Sequence, residues 1–82
     1  MERKTLLKEI FEKHWWEVNN LVYSLVDDRV KTEYIVAEAF IALYRKLLVD
    51  IEGDDNIRAF LLVTARQFSL DYLKNLQHES SI

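Results

Sequence analysis

The chain has 82 residues and a mass of 9.8 kDa, which allows one small domain with one core and no deeply enclosed active site. It has no cysteine, no proline and one glycine, Gly53, where average usage gives roughly four prolines and six glycines. This excludes disulfides, thiolate metal sites and turn-rich β architectures. A hydrophobic share of 50% excludes intrinsic disorder, and a net charge of −3 excludes a broadly basic nucleic-acid surface.

Apolar residues recur at helical spacing in three blocks. The first spans about residues 3–26, with Leu7, Phe11, His14, Trp15, Val18, Val22 and Leu25 on one face. An unbroken helix there is about 35 Å long, and Asn19-Asn20 mark the point where it would kink. On the opposite face stand Trp16 and Tyr23. These read either as a protein-contact patch, because such residues anchor interfaces, or as the second buried side of the helix. The opening charges, with no apolar core segment, do not form a signal peptide. No apolar run approaches the roughly 20 residues of a membrane span, so a cytoplasmic protein is expected.

Asp27-Asp28 supplies an N-cap for the second block, about 29–48. Its inner stripe is Val36, Phe40, Leu43, Tyr44 and Leu47. Its outer stripe is Tyr34, Glu38, Ile41 and Arg45, a candidate interaction face with two apolar members between an acid and a base. Residues 49–55 carry Gly53 and four acids and form the expected loop. The acids lack the ligand spacing of a calcium loop, so the loop reads as capped and solvated, with no metal.

Asp54 or Asp55 caps the third block, about 56–76, with Ile57, Leu61, Thr64, Ala65, Phe68, Tyr72 and Leu76 inside. Residues 78–82 form a polar tail after a domain of 1–77. Residues 1–55 sum to −4 and residues 56–82 to +1, so the last helix is the mildly basic part. Its side stripe holds Phe60, Gln67, Asp71 and Lys74, with Arg58 and Arg66 off the stripe. An aromatic, an amide and a base together can stack on and hydrogen-bond an unstacked nucleobase, with the arginines on phosphates. The plainer reading is a core aromatic beside an i,i+3 Asp71–Lys74 pair.

The expected fold is therefore all-α, three helices with short connections and sequential neighbours antiparallel. No Ser–His–Asp set, metal-ligand spacing or glycine-rich phosphate loop is present. His14 sits on the apolar face as a core histidine. Neither an enzyme nor a cofactor is expected.

The order of residues is informative beyond periodicity. DDRVKTEYIVAEAFIALYRKL resembles part of region 2 of bacterial sigma factors of the extracytoplasmic-function group, and IRAFLLVTARQFSLDYLKN resembles the segment that follows it. FEKHWWEVNNLVYSLV is similar to the family's first helix, so the resemblance covers about residues 5–76. It implies a domain that docks on the clamp of core RNA polymerase through the second helix. It also implies melting and reading of the promoter −10 element, as non-template single strand, with the last helix and the loop before it.

By position, the resemblance places Glu33, Glu38, Phe40 and Tyr44 on the clamp-binding helix, whose outward residues are Glu33, Tyr34, Glu38, Ile41 and Arg45. Phe60 stands for the motif's tryptophan, Arg66 and Gln67 for its Arg-Asn pair, and Asp71 for its aspartate. Lys74 lies near its basic end, and loop 49–55 would hold a flipped base. An anti-sigma factor is an implied further partner. The chain departs from the family pattern at Thr32, Tyr34, Ala37 and Gln67, and its basic end is thin. These departures motivate an alternative, a helical protein-interaction domain that self-associates or holds an inhibitory partner without reading promoters.

Overall fold

The computed structural model describes residues 3–47 and 53–80. It contains three helices: α1 (Arg3–Val26), α2 (Arg29–Leu47) and α3 (Asp54–Ser80). Most of the expected loop, residues 48–52, and the last two residues of the tail lie outside the described residues. Among the described residues, no helix is long and apolar enough to cross a membrane.

α1 runs without interruption through Asn19 and Asn20. It ends where Asp27 takes φ 54°, the left-handed conformation that short polar side chains tolerate at a helix terminus. The Asp27 amide closes the last turn on the Tyr23 carbonyl at 2.9 Å. One residue later the chain starts again. Asp28 Oδ1 accepts from the Lys31 amide at 3.0 Å, the bond expected of an N-cap.

Pairs of contacting side chains fix the direction of each helix. Phe11 meets Phe40 with ring centroids 4.9 Å apart, and one groove joins Asn19 and Tyr23 to Thr32 and Arg29. The paired numbers run in opposite senses, so α1 and α2 are antiparallel. Lys31 lies 6.0 Å from the Tyr72 ring, and Ile35 shares a groove with Phe68, so α2 and α3 are antiparallel as well. α1 and α3 therefore run the same way. Lys13 reaches Asp54 and Glu17 reaches Arg58, holding the two helices in one register.

The core is a single cluster drawn from all three helices. Ile10, Val18, Val22 and Val26 come from α1, Ile35, Val36, Ala39, Phe40 and Leu43 from α2, and Ile57, Leu61 and Ala65 from α3. Leu43, Leu61 and Val22 are fully enclosed. Such side chains each contribute roughly 1.5–3 kcal/mol of transfer free energy, so packing rather than propensity holds the helices together.

Three expectations about the stripes need correction. On α1 the buried line is Ile10, His14, Val18 and Val22, an i,i+4 ridge rotated by one residue from the expected start. Phe11 is consequently 41% exposed and keeps only its edge on Phe40. On α3, Leu76 is 42% exposed, because α3 continues through Ser80, past the point where Lys31 at the start of α2 meets Tyr72. Finally, α3 opens at Asp54, with the Ile57 amide bonded to the Gly53 carbonyl at 3.0 Å. Gly53, at φ 88°, is the residue before the helix, and the Asp54 carboxylate is directed across to α1 instead of capping its own turn.

Candidate nucleic-acid and protein interface

A helix turns about 100° per residue, so the side stripe of α3 and the two arginines off it lie on different parts of the helix surface. Of Phe60, Gln67, Asp71 and Lys74, Asp71 lines the groove toward α2, and Gln67 bonds to it. Arg58 and Arg66 fall on the flank toward α1. The two sets meet different neighbours.

On the α1 flank Arg58 and Asp54 are already engaged, while Arg66, among the described residues, is not. Arg58 donates from Nε and Nη2 to the two oxygens of Glu17, both at 2.7 Å. This fork is the stronger form of a carboxylate pair. The bond from Arg58 holds the Glu17 carboxyl below its ordinary value, against the opposing effect of desolvation. One turn earlier, Asp54 accepts from Lys13 Nζ at 2.8 Å and lies 3.1 Å from His14 Nε2. The Lys13 bond, and then the His14 bond, lower the Asp54 carboxyl, while desolvation raises it. His14 is 4% exposed and is the buried, bonded histidine expected from its apolar face. Arg66 stands exposed beside Glu17, Leu21, Leu62 and Val63.

On the α2 flank the geometry is open. A groove of about 340 Å³ separates α2 from α3. Tyr34 and Glu38 line it from α2, and Asp71 and Asn75 from α3. Its floor is Ile35, Phe68 and Tyr72, all packed in or against the core. Tyr34 is 66% exposed, Glu38 is half-buried, and Asp71 is exposed. The structure thus brings one part of the α2 interaction stripe into the same cleft as one part of the α3 stripe. Ile41 and Arg45 continue the α2 stripe as exposed residues beyond the groove, whereas Glu33 lies on the other side of α2, toward α1.

Gln67 is exposed and donates from Nε2 to Asp71 Oδ1 at 3.0 Å. An ionised carboxylate only accepts, so this bond fixes the orientation of the amide. The Gln67 carbonyl oxygen and its second N–H remain directed away from Asp71. Asp71 is therefore engaged with Gln67 one turn back, and the i,i+3 pair with Lys74 is not formed. Lys74 is exposed. Phe60 is half-buried against the core cluster, so it contributes packing and offers only part of its ring to a ligand.

Sequence reasoning missed Lys31, which lies over the Tyr72 ring and lines the same groove. The signal was available: Lys31 and Glu38 are two turns apart on one side of α2. Counting Lys31 against Glu38 and Asp71, the groove is net negative. It suits base edges or a polar protein surface better than phosphates. No cluster of three or more His, Asp or Glu able to hold a metal occurs among the described residues.

No protein-family model, curated protein or solved structure matches this chain.

Proposed function

We propose that this domain is a polymerase-docking, promoter-reading module of the extracytoplasmic-function sigma type and acts by binding, not catalysis. The exposed stripe Tyr34, Ile41 and Arg45, with Glu38, is the surface offered to the clamp of core RNA polymerase. The α3 flank, with Gln67 at its centre, is the surface offered to the unstacked −10 non-template strand. The observation that carries the reading is the Gln67–Asp71 bond at 3.0 Å. It pre-orients an amide whose free oxygen and N–H match the donor–acceptor edge of a base, and Phe60 adds an aromatic edge nearby. The mild charge of the surface fits a protein delivered to DNA by polymerase, because few neutralised phosphates give weak nonspecific affinity.

Co-purification with core RNA polymerase tests the docking half. The wild-type chain is expected to be retained and an Ile41→Ala, Tyr34→Ala double variant released, with unchanged helical content by circular dichroism. Retention of both, or of neither, contradicts the assignment of α2 to the clamp.

A second reading is favoured by Trp16, 67% exposed, and Tyr23, 42% exposed. These aromatics suit a helical interaction module that pairs with itself or with an inhibitory, anti-sigma-type partner. Its signature is a stable complex in the absence of polymerase, seen as a mass above the monomer in light scattering.

A further inference from the structure

Among the described residues, the hydroxyl side chains Ser69 and Thr32 are buried, and they are treated differently. Ser69, fully buried, donates to the Ala65 carbonyl at 2.8 Å, one turn back on its own helix. Thr32 is 2% exposed, and its Oγ1 has no hydrogen-bond partner. Leaving a buried hydroxyl unpaired is costly, and native folds seldom leave such groups without a role.

Thr32 lines a second groove, between α1 and the start of α2, of about 290 Å³. This is at the lower end of ligand-site volumes, roughly 300–1,000 Å³, and so admits a small ligand. The walls are aromatic: Trp15, Trp16 and Tyr23. Trp15 is half-buried and packs on the core, and the Trp16 ring stands 6.2 Å from it at 43°. With 67% exposure, Trp16 presents a large ring to solvent at the rim. Between the rings the groove is polar. Asn19 and Asn20 each bring a carbonyl and an amide, and Arg29 and Glu33 add a cation and an anion at α2.

We infer that this groove is a binding site for a single nucleobase, stacked on Trp16 and hydrogen-bonded along its edge by Asn19 and Asn20. The Thr32 hydroxyl, enclosed in the free protein, turns to it by rotation about χ1 between the two rotamers a helical threonine adopts. Each part of the groove matches a part of that ligand. Flat aromatic faces hold any base by stacking. An asparagine amide pairs with the adjacent donor and acceptor of a base edge. Arg29 is placed to meet a phosphate attached to the base, and Glu33 can accept from an exocyclic amine. A purely aliphatic ligand would leave the amides and the Thr32 hydroxyl unpaired. The site shares no lining residue with the α2–α3 groove and does not depend on the promoter-reading proposal.

Tryptophan fluorescence tests it, with adenosine and guanosine monophosphates in one arm and a short single-stranded oligonucleotide in the other. Saturable quenching by either is expected, and the arm that quenches at the lower concentration identifies whether the base arrives free or in a strand. Trp16→Phe keeps a ring and preserves binding, followed through Trp15. Trp16→Ala weakens it about tenfold. Thr32→Val keeps the shape, removes the orphan hydroxyl and weakens binding about threefold, without lowering the thermal midpoint. Gln67→Ala leaves this quenching unchanged, which separates it from the α3 surface. Absence of saturable quenching in both arms, or binding indifferent to Trp16→Ala and Thr32→Val, overturns the proposal.

Discussion

The two seams of α3 bury similar apolar faces and end in opposite chemistry. Along the parallel seam with α1, charged groups pair across the helices: Glu17 holds Arg58, and Asp54 holds Lys13 and His14, with Arg66 left exposed. Along the antiparallel seam with α2, the helices part into an open groove lined by Glu38 and Asp71, and the exposed Gln67 bonds to Asp71. A cation that looks available in sequence is thus committed to the fold on one side. An amide that looks ordinary is held ready on the other. The lesson is that α1 and α3 form the braced half of the domain, and the α2–α3 face is the open one.

The comparison can be broken most severely at the shared core. Leu61, fully enclosed, supports both seams, and Leu61→Ala is expected to cost about 2–5 kcal/mol, read as a fall in the denaturant midpoint. Ile41→Ala on the open face should stay within about 0.5 kcal/mol. Equal losses would mean that the open face is part of the core.

A smaller effect is expected at the α1–α2 turn, where Asp28→Ala removes the bond to the Lys31 amide. This should cost about 1 kcal/mol of stability, while clamp binding by the intact remainder of α2 persists.

Acid should loosen the braced seam by a smaller amount still. The Glu17 and Asp54 carboxyls lie below their ordinary values in the folded chain because Arg58 and Lys13 bond to them. Their contribution is fully present above the unfolded carboxylate range of about 4 and is lost as pH falls through the lower folded values. Both pairs are solvent-exposed, so salt screens them. The wild type should therefore lose thermal stability below about pH 4 more steeply than Glu17→Gln, and the difference should shrink in high salt. Parallel curves would show that the seam is braced by packing alone.

Much of this architecture was legible in the sequence. The spacing of Val36, Phe40 and Leu43, or of Ile57, Leu61 and Ala65, marks the buried faces because it follows the turn of the helix. The outward direction of Trp16, Tyr34 and Ile41 follows from the same spacing. What was not legible depends on distant partners. Asp54 at a helix start has the form of a cap, and only the position of α1 reveals that its carboxylate turns to Lys13 and His14. Arg58 has the form of a free cation, and the Glu17 that neutralises it lies 41 residues away. Phe11 and Leu76 keep the right period, but their exposure depends on where neighbouring helices rotate or end. For the candidate site, the stripe of Phe60, Gln67, Asp71 and Lys74 was readable, with Arg58 and Arg66 off it, whereas the pairing of Arg58 with Glu17 and the place of Lys31 in the groove required the packing of all three helices.

The central claim is that the α3 flank reads an unstacked base through Gln67. Fluorescence anisotropy of a labelled −10 non-template strand, with core polymerase present, tests it most directly. The strand should bind in preference to the same sequence as duplex. Gln67→Ala should weaken that binding about tenfold, the loss expected for one good amide–base pair. Arg58→Ala, whose charge already belongs to Glu17, should leave it unchanged. Equal affinity for single strand and duplex, or indifference to Gln67→Ala, would contradict the account.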